Sequence, residues 1–328
     1  MEDFLTFCSE FEFGPVLLSA GEHDFCLKLN NELISLCRSL PKSKQTEALF
    51  FLVKDSQISF DEKLNFFKYY YVPAWSIIYW IVQSCPDDKE LKHEDIENAI
   101  TSHNMAMFLH SLDDHLSDSD LPVTHLTLLL RSQAWLIMNT ALRTLADGVE
   151  EGKEIVEGFI DEYYASIENH EYIQSIDAYC ELFRKQMATW FIVPVLIAKK
   201  TTKNKEFTDA VQSAYGSFGI AWRLLDDILD IETDLMRGVH SSIYNCLPEN
   251  IREHWDKDTE YKDIYCIRLI LNYVLANNVI EKLTVRICSE LESAASAADR
   301  YNMTVLSDEF CCLLRPLKKR QDLLWPTI

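Results

Sequence analysis

The chain is poor in glycine and proline, with 8 and 9 among 328 residues. It also lacks any run of alternating β-branched residues. Sheets need turn formers and period-two alternation, so both absences argue against a sheet-built domain; the long 3.6-residue periods point to an all-α protein. Basic charge is scarce as well: 31 Lys and Arg face 52 Asp and Glu, a net charge of −21. That balance argues against nucleic acid and against an anionic membrane surface as partners, and suits an enzyme that recruits cations. The ten cysteines show no CxxC spacing and no metal-like pairing with histidine. They read as free core thiols in a reducing cytoplasm. The opening MEDFLTFCSEFEFG is acidic where a secretion signal is basic, which again predicts a cytoplasmic protein. The longest apolar runs, near Val72–Val82 and Met187–Ala198, are too short to span a bilayer and contain proline, so no transmembrane segment is expected.

What is abundant is acid at the ends of apolar helices. The stretch Gly219–Pro248 holds Asp226, Asp227, Asp230, Glu232 and Asp234, which overlap the end of an apolar stripe of Phe218, Trp222, Leu225 and Leu229. On a helical wheel Asp226 and Asp230 sit one turn apart at the edge of that stripe, and Asp227 points away. Two carboxylates beside a buried face repel each other and lose hydration. A hard divalent cation removes both penalties, and Mg²⁺ shares its oxygen ligands readily with phosphates. A solvated acidic helix end is the bland alternative. About a hundred residues upstream the pattern recurs. A stripe of Ile96, Ala99, Ile100, His103 and Met107 projects forward onto Asp114 and Asp118, with Asp113 to one side. Facing each other across a bundle, two such ends would cage several cations above an apolar cavity. The clusters must meet to work, and no repeat, low-complexity stretch or linker divides the chain. A single domain over residues 1–328 follows.

The remaining segments are placed more coarsely. Residues 1–60 read as short helices with loops at Phe13–Pro15 and Pro41–Thr46, and show no chemistry. Phe66–Val82 reads as a buried aromatic helix after Pro73, whose Tyr71, Trp75, Tyr79 and Trp80 either line a cavity or fill the core. Ser84–Glu94 is a polar connection. Pro122 opens a helix that carries Arg131, Trp135 and Arg143, and Glu150–Ser166 is a surface helix. Ile176–Lys200 reads as one long apolar helix containing Lys185 and Trp190, where Lys185 is a diphosphate ligand or a snorkelling side chain. Arg237 either meets an anion held on the metals or caps a helix end. Glu249–Lys262 is expected to be a charged, exposed connection. The tail Arg315–Arg320 is a basic run, solvated or folded over the site.

These segments resemble the class I isoprenoid synthases, the all-helical superfamily of trans-prenyltransferases and terpene cyclases. LLDDILD (Leu224–Asp230) looks like the second aspartate-rich motif of polyprenyl diphosphate synthases, and LDDHLSD (Leu112–Asp118) like the first. RKQMATWFIVPVLIA (Arg184–Ala198) is similar to the segment that begins with a Lys-Thr pair; Lys185 keeps the lysine and Gln186 replaces the threonine. The family's Gly-Lys-x-x-Arg-Pro segment and the arginine pair after the first motif, which hold isopentenyl diphosphate, have no counterpart in YYYVPAWS (Tyr69–Ser76) or in Pro122–His125. An anionic second substrate needs such charges. Asp230–Pro248 also looks like the squalene and phytoene synthase pattern.

The resemblance implies a single-domain helical bundle around a central apolar cavity, and a dimer is the family expectation. It implies a Mg²⁺-dependent enzyme, with three ions in the family. These bridge a linear allylic prenyl diphosphate of C15–C20 or longer to Asp113, Asp114 and Asp118 on one side and Asp226, Asp230 and Asp234 on the other. Lys185, Arg223 and Arg237 would supplement the metals, and Phe108, Trp75, Trp135 and Trp190 would line the cavity. The reading preferred on the missing basic motifs is a terpene cyclase. The alternatives are a chain-elongating or head-to-head prenyltransferase, or a non-catalytic synthase subunit.

Overall fold

The computed structural model describes residues 2–59, 61–85, 91–168, 173, 175–202, 204–257 and 264–324. Among them there are sixteen α-helices and no strand. The chain opens with α1 (Glu2–Ser9), α2 (Ala20–Ser39) and α3 (Lys42–Asp55), then a 3₁₀ turn at Phe66–Tyr69 and α4 (Pro73–Gln83). The central pieces follow as α5 (His93–Ser117), α6 (His125–Ala146), α7 (Gly152–Ile167), α8 (Ile176–Gln186), α9 (Ala188–Thr202) and α10 (Lys205–Leu229). Four short helices come next: α11 (Ile231–Arg237), α12 (Ser242–Asn245), α13 (Glu249–Trp255) and α14 (Ile264–Ala276). The chain closes with α15 (Val279–Asp299) and α16 (Thr304–Leu324).

Local chemistry explains several boundaries. Ser19 caps α2 in a capping box, its hydroxyl accepting from the Glu22 N–H while the Glu22 carboxylate accepts from the Ser19 N–H. Thr124, not Pro122, caps the next helix, so α6 starts later than the proline suggests. Pro41 caps α3 directly, and the loop expected at Pro41–Thr46 is already helix. The expected long helix over Ile176–Lys200 is two helices, because it breaks at Met187. Met187 lies over Gly219 of α10: a Cβ on Gly219 would sit 2.1 Å from the Met187 sulfur, so any larger residue there would have to push the thioether aside. The connection expected to be exposed at Glu249–Lys262 instead forms α13, which buries Ile251 and Trp255. Residues 86–90 of Ser84–Glu94 and 258–262 of Glu249–Lys262 lie outside the described residues.

The helices α5 and α10, 25 residues each, run through the middle of the bundle. The first packs along α6 and α9, the second along α15 and α9, and α15 in turn along α16. Between them a ladder of buried rings joins Trp190, Tyr215, Phe218 and Phe310. The Tyr215 hydroxyl and the His103 ring both meet the carbonyl of Ala74, at 2.6 and 2.9 Å. Burial pushes His103 down to about 4, so it sits in this core as neutral imidazole. All ten cysteines are free. Among the described residues no helix is long and apolar enough to cross a membrane. The basic tail does not fold over the acids: Arg320 lies on the rings of Phe7 and Phe11 and pairs with Glu10.

A second pair of carboxyls is buried far from the acid-ended helices. Glu22 of α2 and Glu309 of α16 are 1% and 2% exposed. Glu309 accepts from Ser76 at 2.6 Å and from the Trp80 indole, and lies within hydrogen-bond range of Glu22. Burial beside a second carboxyl, with no cation at hand among the described residues, disfavours the charged form of Glu309. Burial, with Glu22 beside it, raises Glu309 from 4.5 to about 8, against the opposing hydrogen bonds from Ser76 and Trp80. The folded carboxyl thus keeps its proton where the unfolded one has lost it. This contribution to stability is complete below about pH 4.5 and disappears as pH rises through about 8. The Tm of the wild type is expected to fall by several degrees between pH 6 and pH 9. In Glu309→Gln, which keeps the shape without the proton, the fall is expected to be smaller. Circular dichroism melts across that range check this.

Candidate active site

The acid-ended helices place their carboxylates where their own backbones disfavour them. Asp113 and Asp114 lie in the last turn of α5 and Asp118 is its C-cap; Asp226 lies in the last turn of α10 and Asp230 is its C-cap. The C-terminal end of a helix carries partial negative charge, which repels carboxylates. Asp234 follows in α11. The chain stays helical through the junction, with the Asp230 N–H on the Asp226 carbonyl and the Asp234 N–H on the Asp230 carbonyl, both at 2.8 Å. Asp226, Asp230 and Asp234 thus recur one turn apart.

The two ends share one open cleft of about 1060 Å³. Of the residues singled out in the sequence, Asp113, Asp114, Asp118, Asp226, Arg223 and Trp190 line it. Burial raises Asp226 to about 6; Arg223 opposes this, and the charges of Asp230, Asp227 and Asp114 add to it. The Asp114 contribution comes from the opposite helix, so the two acid clusters do face each other. Burial also raises Asp234, to about 7, helped by Asp227 and Asp230 and opposed by Arg223. Asp118 and Asp230 are raised as well, burial leading in both. Asp230 and Asp234 continue the Asp226 row beyond the cleft wall.

Not all of these acids are free to bind a ligand. Both oxygens of Asp113 are engaged by Arg131 of α6, Nε to Oδ1 at 2.6 Å and Nη2 to Oδ2 at 2.9 Å. Asp227 does point away from the cleft, as the wheel predicts, but into the core, where it is 1% exposed. It accepts from the Ser242 N–H at 2.8 Å and pairs with Arg223 Nε at 3.0 Å. Arg223 also donates to the Tyr179 hydroxyl at 2.8 Å and lies over the Phe183 ring. It meets Asp226 only at 3.8 Å. Among the described residues no cation pairs with Asp114, Asp118, Asp230 or Asp234.

Five of the expected positions lie elsewhere. Trp75 is buried in the core, stacked on Phe25, because the aromatic segment enters α4 only after the 3₁₀ turn and presents a different face. Phe108 is buried behind Phe66, and Phe66 forms the cleft wall. Trp135 packs edge-on against Tyr164, and Tyr164 reaches the cleft. Lys185 is exposed and lies off the cleft, because α8 ends one residue later and Gln186 faces inward in its place. Arg237 donates to Asp120 at 3.1 Å, tying the end of α11 to the loop after α5.

Around Trp190 the structure adds site residues the sequence reading did not assign. With Tyr70 and Trp222, Trp190 forms an aromatic wall, ring centroids 5.7–6.4 Å apart, and His110 lies edge-on to Trp190 at 5.0 Å. Trp222 was on the apolar stripe, and His110 is one turn before Asp114. Tyr70 and Asp55 carry no local signal.

The carboxylate donors offer oxygens only and carry excess negative charge, and burial and repulsion raise the proton affinity of Asp118, Asp226, Asp230 and Asp234. That suits a hard divalent cation. Among the described residues no three His, Cys, Asp or Glu side chains converge tightly enough to hold one ion alone. Spread carboxylates of this kind bind metal together with a ligand's own oxygens.

The bundle has the class I isoprenoid synthase-like fold that the motifs imply. The structure is similar to geranylgeranyl pyrophosphate synthase from Corynebacterium glutamicum, with a TM-score of 0.69 and 14% identity over 97% of this chain and 98% of that one. It is also similar to heptaprenyl diphosphate synthase from Staphylococcus aureus, with a TM-score of 0.64 and 11% identity over 93% and 98%. Another structure of the Corynebacterium enzyme, complexed with isoprenyl diphosphate and magnesium, aligns with a TM-score of 0.57 and 14% identity over 90% and 99%. No protein-family model matches the chain, and no curated protein matches it in sequence.

Proposed function

We propose that this chain is a Mg²⁺-dependent enzyme that ionises an allylic prenyl diphosphate in the cleft between α5 and α10. The observation that carries this is the meeting of two under-neutralised carboxylate turns above an aromatic wall. Asp114 and Asp118 on one side, and Asp226, Asp230 and Asp234 on the other, would hold the metal jointly with the diphosphate. When bound, Mg²⁺ supplies Lewis-acid neutralisation of the charge that builds on the leaving group. Arg223, locked by Tyr179 and Asp227, adds a fixed positive charge at the cleft wall. Asp113 is assigned to orienting Arg131. The faces of Tyr70, Trp190 and Trp222 attract the allylic cation, each worth about 2 kcal/mol when desolvated.

Two fates of the cation have support. Transfer to a second prenyl substrate is the first, because the structural relatives that span nearly the whole chain are prenyl diphosphate synthases. Cyclisation is favoured by one observation: among the described residues the cleft wall carries two guanidinium groups and no lysine, and both arginines are already paired. A second diphosphate would meet more carboxylate than cation.

The test is a product assay by gas chromatography–mass spectrometry with Mg²⁺ and C10, C15 and C20 diphosphates, each with and without isopentenyl diphosphate. Longer linear diphosphates formed only with isopentenyl diphosphate establish transfer. A cyclic product from one diphosphate alone establishes cyclisation. Binding without metal and without turnover would identify a non-catalytic subunit and reject the proposal.

A further inference from the structure

Either fate ends with a proton to remove, since a carbocation formed by a new C–C bond becomes an alkene only when a neighbouring C–H is broken. The cleft holds one carboxylate that belongs to neither acid cluster. Asp55, the last residue of α3, lines the cleft with Phe66, Tyr69, Tyr70 and His115. Its charge is felt at the hydroxyl of Tyr70, part of the aromatic wall, together with that of Asp114. Its one ion-pair partner among the described residues is His115 Nδ1, at 3.9 Å. Among the described residues no arginine or lysine pairs with it.

We propose that Asp55 is the base that ends the reaction. Its carboxylate takes the proton from the carbon next to the cationic centre, and the electron pair of that C–H bond becomes the new C=C bond. Asp55 leaves the step as a neutral acid and returns its proton to released diphosphate or to water. The assignment rests on the reading of the cleft as a site of allylic ionisation.

Three features suit Asp55 to this role. It sits at the C-terminal end of a helix, where the negative end of the dipole raises the proton affinity of a carboxylate. Burial raises it further, partly opposed by His115. Its negative charge also faces a wall that attracts cations, so the cationic chain is drawn toward it. Of the two histidines that line the cleft, His115 is the partner of Asp55 itself, and His110 is less suited: burial lowers its basicity and Arg223 lowers it further, against the opposing pull of Asp114.

The test measures ionisation and proton loss separately. Release of diphosphate, followed by a coupled phosphate assay, is expected to stay within about threefold of wild type in Asp55→Asn. Alkene products, cyclic or chain-extended, are expected to fall about 10²-fold, the size of a lost general base, with alcohols from water capture in their place. Asp55→Glu is expected to restore alkenes, and Asp55→Ser repeats the test if the asparagine variant does not fold. An unchanged alkene-to-alcohol ratio in Asp55→Asn, or alkenes lost instead in His110→Gln, would overturn the assignment. If the wild type releases no diphosphate in the presence of Mg²⁺, the reading of the site fails as well.

Discussion

Asp226→Asn is expected to lower the rate of diphosphate release by about 10²–10³-fold, the scale seen when one preorganised electrostatic contact to a leaving group is removed. Stability is expected to hold or to rise slightly. Burial pushes Asp226 up to about 6, and its neighbours include three other carboxylates, so the folded protein bears a cost for this charge. Its nearest cation, Arg223 at 3.8 Å, is already held by Tyr179 and Asp227. An amide removes the repulsion and also the hard anionic donor. Steady-state kinetics over a Mg²⁺ titration, with a thermal melt of the same samples, checks both halves. A chelator should inactivate the wild type and change its melt little, because Asp114 and Asp226 line an open cleft and do not fill the core. A variant that retains activity at any Mg²⁺ concentration would remove Asp226 from the metal-binding set.

The adjacent substitution should behave in the opposite way. Asp227→Asn is expected to cost about 3 kcal/mol of stability, the usual scale for removing one partner of a buried ion pair. Asp227 is inside the fold, where its two oxygens satisfy the Ser242 N–H at 2.8 Å and Arg223 at 3.0 Å. Without that charge the Arg223 guanidinium keeps the Tyr179 hydroxyl, the Phe183 ring and the longer contact with Asp226, and the backbone that starts α12 loses part of its anchor. Urea unfolding measures the loss. Activity should fall chiefly because less protein is folded, with the Mg²⁺ dependence unchanged. A fully stable Asp227→Asn with the kinetic defect of Asp226→Asn would show that the two aspartates share one role.

This contrast shows how far local pattern reaches. The wheel separates Asp226 from Asp227 because both lie on one regular helix, and there the direction of each side chain follows from the 3.6-residue period. The same logic places Asp114 and Asp118 at the cleft. It fails where the helix is interrupted. The break at Met187 leaves Lys185 exposed and turns Gln186 inward. The 3₁₀ turn at Phe66–Tyr69 puts Tyr70 on the wall and Trp75 in the core. A wheel also gives direction without surroundings. Asp227 points away from the cleft and is nonetheless buried, because α12 folds back over it.

By itself the sequence determined that the protein is helical, that two helices end in under-neutralised acid, and that those acids suit a hard cation with a phosphate ligand. These follow from residue type and short-range period alone. Tertiary structure decided that the two ends face each other across one cleft, that Arg131 engages Asp113, and that Asp55 joins the site from nearly sixty residues before the first acid turn. Such meetings depend on how helices cross, and crossing is set by side-chain packing between segments remote in the chain, which no single segment encodes.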